Sequence, residues 1–128
     1  MAKSAKLNRT FTLDGETISA PQTLAVDGTG GIDGSLTASQ ADQEYAITVD
    51  VSQLKYLYIL TSNDCTIETN SSSSPVDTIT SKAGVPYLWT HGSGIPNPLG
   101  TDVTKIFVTN GAASVCTVKV RIGTDASI

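Results

Sequence analysis

Long apolar runs are missing from this sequence, and so are most of the residues from which catalytic centres are built. No stretch approaches the ~20 consecutive apolar residues that carry a helix across a bilayer. The opening MAKSAKLNRTFTL lacks the apolar core of ~7–15 residues that a secretory signal needs. The chain is therefore expected to be made and folded in a cytoplasm. Two tripeptides that fit the glycosylation pattern, at Asn8 and Asn70, carry no meaning without export. There is one His (His91), one Trp (Trp89) and two Cys. A metal centre would need more Cys or His at ligand spacing, so none is expected. Only 16% of the 128 residues are charged, and the Leu, Glu, Lys and Ala runs of a helical domain are absent.

Hydroxyl residues fill the space. Ser and Thr account for 32 residues, beside 11 Gly, a composition suited to short strands and tight turns. A chain of this length makes one domain with one core. Its charge is uneven. Lys3, Lys6 and Arg9 precede every acid; without them five cations face twelve acids, a balance of −7 against −4 for the whole. Residues 1–9 read as a basic arm, dispensable for the fold, which is either a solvated terminus or a strap that docks on an acidic partner, and residues 10–128 as the folded body. An acidic body argues against nucleic acid, whose phosphates need a concentrated basic face.

Strand signals recur at spacings of roughly 8–12 residues, which predicts about ten strands in an all-β antiparallel sandwich or barrel. Residues 9–13 and 16–18 flank Asp14-Gly15, a two-residue hairpin turn. Residues 23–27 form a further strand. The glycine-rich DGTGGIDGS (27–35) reads as a long exposed loop, since glycine weakens strand interiors. TASQADQ (37–43) is the one place for a helical turn. Tyr45, Ile47, Val49 and Val51 alternate with polar residues, as when one face is buried. LKYLYILT (54–61) is apolar at nearly every position, so both its faces are expected to be covered. Residues 76–82 and 85–90 read as a strand pair about Ala83-Gly84. Residues 103–110 and 116–122 complete the series, with Cys116, Val118, Val120 and Ile122 on one side.

The chemistry-bearing residues are few. Cys65 and Cys116 both fall on apolar sides of alternating strands, as small buried thiols; a disulfide becomes possible only if their strands face each other. In PYLWTHGSGIPNP (86–98) two glycines and two prolines follow His91, so this is a loop. No G-x-S-x-G nucleophile pattern occurs, and His91 is expected to be solvated or at an interface. Trp89 is expected to plug the end of a sandwich core, its indole N–H on a carbonyl; the alternative is a glycan platform made with Tyr87. Asp14 and Glu16 could mimic paired glycosidase carboxylates but sit beside a turn. Asp27 and Asp33 offer hard oxygen ligands for calcium in a single unrepeated copy. Tyr56 and Tyr58 share one side of their strand, which favours association between copies.

The succession ITVDVSQLKYLYILTSNDCTIETN, SPVDTITSKAGVPYLWT and NPLGTDVTKIFVTN, over residues 47–110, resembles the capsid decoration, or cement, proteins of tailed bacteriophage heads. Gly100 stands where that pattern has a second hydroxyl residue. The resemblance implies a jelly-roll-like β-sandwich without catalytic activity or cofactor, made in the bacterial cytoplasm. It implies a place on the capsid exterior of the virion, where dimers or trimers clamp adjacent major capsid subunits, with no nucleic-acid or membrane partner. Lys3, Lys6, Arg9, Tyr56, Tyr58, Trp89 and His91 are the candidate capsid or subunit contacts. A tail or head-fibre module, a glycan-binding sandwich and a hydrolase are the alternatives.

Overall fold

The computed structural model of the chain describes residues 3–128; Met1 and Ala2, the first two residues of the expected arm, lie outside the described residues. Ten strands account for most of it: β1 (Lys3–Leu13), β2 (Glu16–Val26), β3 (Gly28–Leu36), β4 (Gln43–Val49), β5 (Leu54–Thr61), β6 (Cys65–Thr69), β7 (Thr78–Ser81), β8 (Tyr87–Thr90), β9 (Val103–Asn110) and β10 (Cys116–Thr124). β1 and β2 form a two-stranded ribbon of their own, and the other eight form two four-stranded sheets, ordered β3-β10-β5-β8 and β4-β9-β6-β7.

The pairing is nested. The outermost strands of the eight pair with each other (β3 with β10), then β4 with β9, β5 with β8 and, innermost, β6 with β7, all antiparallel. Two further pairings, β10 with β5 and β6 with β9, join these into the two sheets. An eight-stranded hairpin has been rolled up so that its successive pairs alternate between sheets, which is a jelly roll. The expected all-β sandwich is the fold.

The core lies between the sheets. Leu36, Val108 and Cys116 have no exposure at all, and the inward residues of β5 (Leu57, Ile59), β6 (Ile67), β9 (Ile106, Val108) and β10 (Val118, Val120, Ile122) interdigitate across the gap. Each comes from a period-two alternation, which is why the strands could be read from sequence.

Four expectations change. Residues 27–35 are not a loop: a bend at Asp27 leads into β3, whose residues pair one for one with β10. Glycine's weak strand preference is overridden because Ile32 and Leu36 are buried between the sheets and because the bare backbone gives neighbours room. A side chain at Gly34 would collide with the Tyr45 ring, and one at Gly31 would press on the Arg121 side chain and the Val120 carbonyl. Residues 37–43 hold no helix, since Ser39 and Asp42 both take positive φ (56° and 52°); the one helical turn among the described residues is a 3₁₀ turn at Val51–Gln53, capped by Asp50, whose carboxylate accepts from Ser52 N–H. β7 and β8 do not pair with each other. Gly84, at φ 68°, carries the chain from one sheet to the other, and its N–H donates to Thr61 O at 2.8 Å. Finally, the boundary expected after Arg9 falls inside β1. Residues 3–9 are not a free strap, because Ala5 and Leu7 are half-buried and paired with Leu24 and Gln22 of β2.

Candidate functional site

The ribbon is built by local rules. Asp14 (φ 49°) and Gly15 (φ 82°) make the tight turn that their sequence predicts, and from it the register runs without interruption from Leu13 opposite Glu16 to Lys3 opposite Val26. Alternation then gives the ribbon two unlike sides. One carries hydroxyls that bond across the strands, Thr10 to Ser19 at 3.2 Å and Thr12 to Thr17 at 3.1 Å. The other carries the pairs Ala5–Leu24, Leu7–Gln22, Arg9–Ala20, Phe11–Ile18 and Leu13–Glu16.

That second side is covered only along half its length. At the base Leu24 and Val26 are buried and Leu7 is half-buried, whereas towards the tip Phe11, Leu13 and Ile18 are 59%, 60% and 56% exposed. Arg9 hydrogen-bonds the ribbon to the sandwich: its guanidinium donates to Gln22 Oε1 of β2 at 3.2 Å and to Thr90 Oγ1 of β8 at 3.4 Å. Below it, Leu7 and Arg9 face Tyr58, Pro86 and Leu88 across a groove of roughly 500 Å³. Strands rise about 3.4 Å per residue, so the four steps from Arg9 to Leu13 carry the tip ~14 Å beyond this contact.

The ribbon leans on the outer face of the β3-β10-β5-β8 sheet, where Tyr56 and Tyr58 both project. The Tyr56 ring packs against Gly123, where an added Cβ would clash with three of its carbons. Burial raises the Tyr56 phenol above its ordinary value, and the Arg121 guanidinium partly offsets this. Arg121 itself is pinned: Nη1 donates to Ile32 O and Val120 O at 3.1 and 2.9 Å, and Nη2 to both Asp33 oxygens at 2.9 and 3.1 Å.

The remaining sequence candidates do not join this surface. Trp89 points into the core, 7% exposed, with its Nε1–H donating to Ile95 O at 2.8 Å. It plugs the sandwich end as expected and is not available as a surface contact; with Tyr87 also turned inward, the glycan platform is withdrawn. His91 is exposed on the turn after β8, its backbone N–H on Lys55 O. Lys3 and Lys6 are exposed along β1. Asp14 sits in the ribbon turn and Glu16 opens β2. Asp33 is held by Arg121 and Asp27 accepts from Ala126 N–H at 3.1 Å, so their carboxylates are already engaged and separated along a strand.

Cys65 and Cys116 come from different sheets, and their sulfurs lie 3.4 Å apart in the core. Burial, and then the neighbouring Cys116 sulfur, push the Cys65 thiol up to about 12. A core cavity of about 30 Å³ between the sheets is lined almost wholly by aliphatic side chains, with Thr69 the one polar contributor. With a single polar group on its wall, such a space offers a water too few partners and stays dry.

The unsupported apolar ribbon tip is the feature that the sequence reading missed. Its signal was present: Leu7, Arg9, Phe11 and Leu13 alternate with polar residues up to the Asp14-Gly15 turn, and Ile18, Ala20, Gln22 and Leu24 mirror them after it. Treating residues 1–9 as a separate arm cut this pattern in two.

No family model and no curated protein matches the chain. Among solved structures, a protein of Bacillus endospore appendages, described as forming a novel family of disulfide-linked pili, is similar at 17% identity and a TM-score of 0.37, over 77% of this chain and 88% of that one.

Proposed function

We propose that this chain is a non-enzymatic virion structural protein that decorates the outer surface of a bacteriophage head and braces adjacent major capsid subunits. The phage-head reading derives from the resemblance over residues 47–110. The observation that carries an assembly role is the ribbon, two continuously paired strands whose apolar side leaves Phe11, Leu13 and Ile18 more than half exposed at the tip. Contiguous apolar surface of this kind marks a protein–protein contact. A small contact suffices for a decoration protein, because many copies on one lattice add their modest interfaces. Lys3 and Lys6 along the ribbon base, with Tyr58 near Lys6, are the surfaces available to the shell.

The test is sedimentation of the purified chain with mature heads of the phage that carries its gene. Co-sedimentation at a fixed stoichiometry, with a higher temperature of DNA release from decorated heads, is the expected result. A chain that stays in the supernatant at every concentration and leaves head stability unchanged overturns the reading.

A further inference from the structure

The apolar side of the ribbon tip is bounded by opposite charges. Arg9 stands at its inner end and Glu16, paired with Leu13, at its outer end, and among the described residues neither forms an ion pair. Between them lie Phe11 and Ile18, side by side. A surface that reads cation, apolar pair, anion along its length is complementary to itself when turned through a half rotation.

We propose that the occupant of this surface is the ribbon tip of a second copy of this chain, the two tips stacked face to face about a twofold axis. Phe11 and Ile18 of one copy then cover those of the other, and each Glu16 comes to lie over the opposite Arg9. The interface is isologous, with its charged pairs at the rim and its apolar pairs at the centre. The charge balance favours this partner over the sandwich of another copy. Residues 27–128 carry five cations and ten acids, so a tip that ends in Asp14 and Glu16 is repelled by that body and attracted by Arg9. Arg9 is free to turn, since its present partners, Gln22 and Thr90, are both uncharged.

The contact is small. Two strands about 4.8 Å apart and ~14 Å long bury far less than the ~800 Å² per partner of a standard interface. The free dimer is therefore weak, with a dissociation constant on the order of 100 μM. A twofold pair presents two sandwiches to two neighbouring shell subunits, so its attachment is strengthened by avidity.

The experiment is sedimentation equilibrium of the full chain from 20 μM to 1 mM at low salt. The expected result is a weight-average mass that climbs from near 13.3 kDa towards twice that value and fits a monomer–dimer equilibrium. Phe11→Asp should lower the association constant by about tenfold or more, as for the centre of an interface. Arg9→Glu and Glu16→Arg should each weaken pairing alone, whereas mixing the two variants, or combining both changes in one chain, should restore it. Circular dichroism melting of each variant checks that the sandwich is intact. A monomer at 1 mM overturns the proposal, as does a mass that grows past two copies, or a mixture of the two reversed variants that pairs no better than either alone. The inference rests on reading the chain as an assembly protein, but the failures are separable. Dimers that ignore phage heads sink the decoration reading alone, and head binding by a chain that never dimerises sinks this one alone.

Discussion

The sulfurs of Cys65 and Cys116 meet at 3.4 Å across the space between the two sheets, one contributed by β6 and the other by β10. Both residues are buried, at 3% and 0% exposure, and the Cys65 thiol is pushed up to about 12 by that burial. The native protein should therefore leave both thiols unreactive towards an aromatic disulfide reagent at pH 7–8, because the thiolate is the nucleophile, and should yield both after denaturation. Diamide, which accepts two electrons and two protons from the pair, should join the sheets covalently when it is applied to the unfolded chain as it refolds, where the thiols are accessible. The bridge would close a loop over 51 residues of sequence, worth up to about 4 kcal/mol by loop-closure entropy. That corresponds to a rise in Tm of up to ~15 °C, reversed by dithiothreitol. Rapid labelling of the native thiols would contradict the packing.

The inward placement of these two cysteines was legible because each sits on an alternating strand. Their meeting was not: it depends on which strands face each other across the sandwich, and alternation says nothing about that. The same limit explains the other misses. Residues 27–35 looked like a loop because four glycines are poor strand formers in isolation; what makes them β3 is pairing with β10 and the bulk of Tyr45 and Arg121, which are distant in sequence. The pairing of residues 76–82 with 85–90 failed because proximity in sequence favours a hairpin, whereas rolling the eight strands sends β7 and β8 to different sheets. Trp89 was read correctly, since its chemistry demands a buried ring and a satisfied N–H wherever it lies.

Gly123 supports the Tyr56 ring, and a methyl group there would clash with three of the ring's carbons. Gly123→Ala should cost about 1–3 kcal/mol through this overpacking, read as a lowered midpoint in urea with an unchanged slope. Tyr56→Ala removes the obstruction. In the double variant the alanine at position 123 should therefore cost much less than it does alone, a coupling expected of residues in contact. Additive losses would mean that the ring does not bear on the glycine.

Acid pH tests the turn that links the sheets. Asp64 accepts from Ala83 N–H at 2.9 Å and lies 3.5 Å from the Lys82 ammonium; first that hydrogen bond and then the lysine hold its carboxyl below the ordinary value of 3.8. A depressed folded value contributes stability above the unfolded pKa, and that stability is lost as pH falls through the folded one. Asp64→Asn keeps an acceptor for Ala83 but not the charge. Its Tm should fall slightly below that of the parent at pH 6, and the two curves should converge below about pH 3. The carboxylate is exposed, so the difference at pH 6 should shrink in high salt. A gap that persists at pH 2 would show that something other than ionisation separates the two.

Ribbon base and ribbon tip should separate when each is removed. Thr10 and Ser19 face each other across the ribbon, so residues 11–18 can be replaced by an Asn-Gly turn that joins them without disturbing the pairing below. This shortened chain keeps Ala5, Leu7, Leu24 and Val26 in place and loses only side chains that the monomer leaves exposed. Its Tm should stay within about 2 °C of the parent, because surface changes away from packed contacts cost little, while its self-association at 1 mM disappears. Deleting residues 1–9 acts on the other half. It strips the paired strand from Leu24 and Val26, which are 6% and 3% exposed, and should cost roughly 1–3 kcal/mol in lost apolar burial. Melting curves and sedimentation on the two truncations decide the matter: equal destabilisation by both would mean that the tip is packed within its own molecule, and the case for a partner in trans would fall with it.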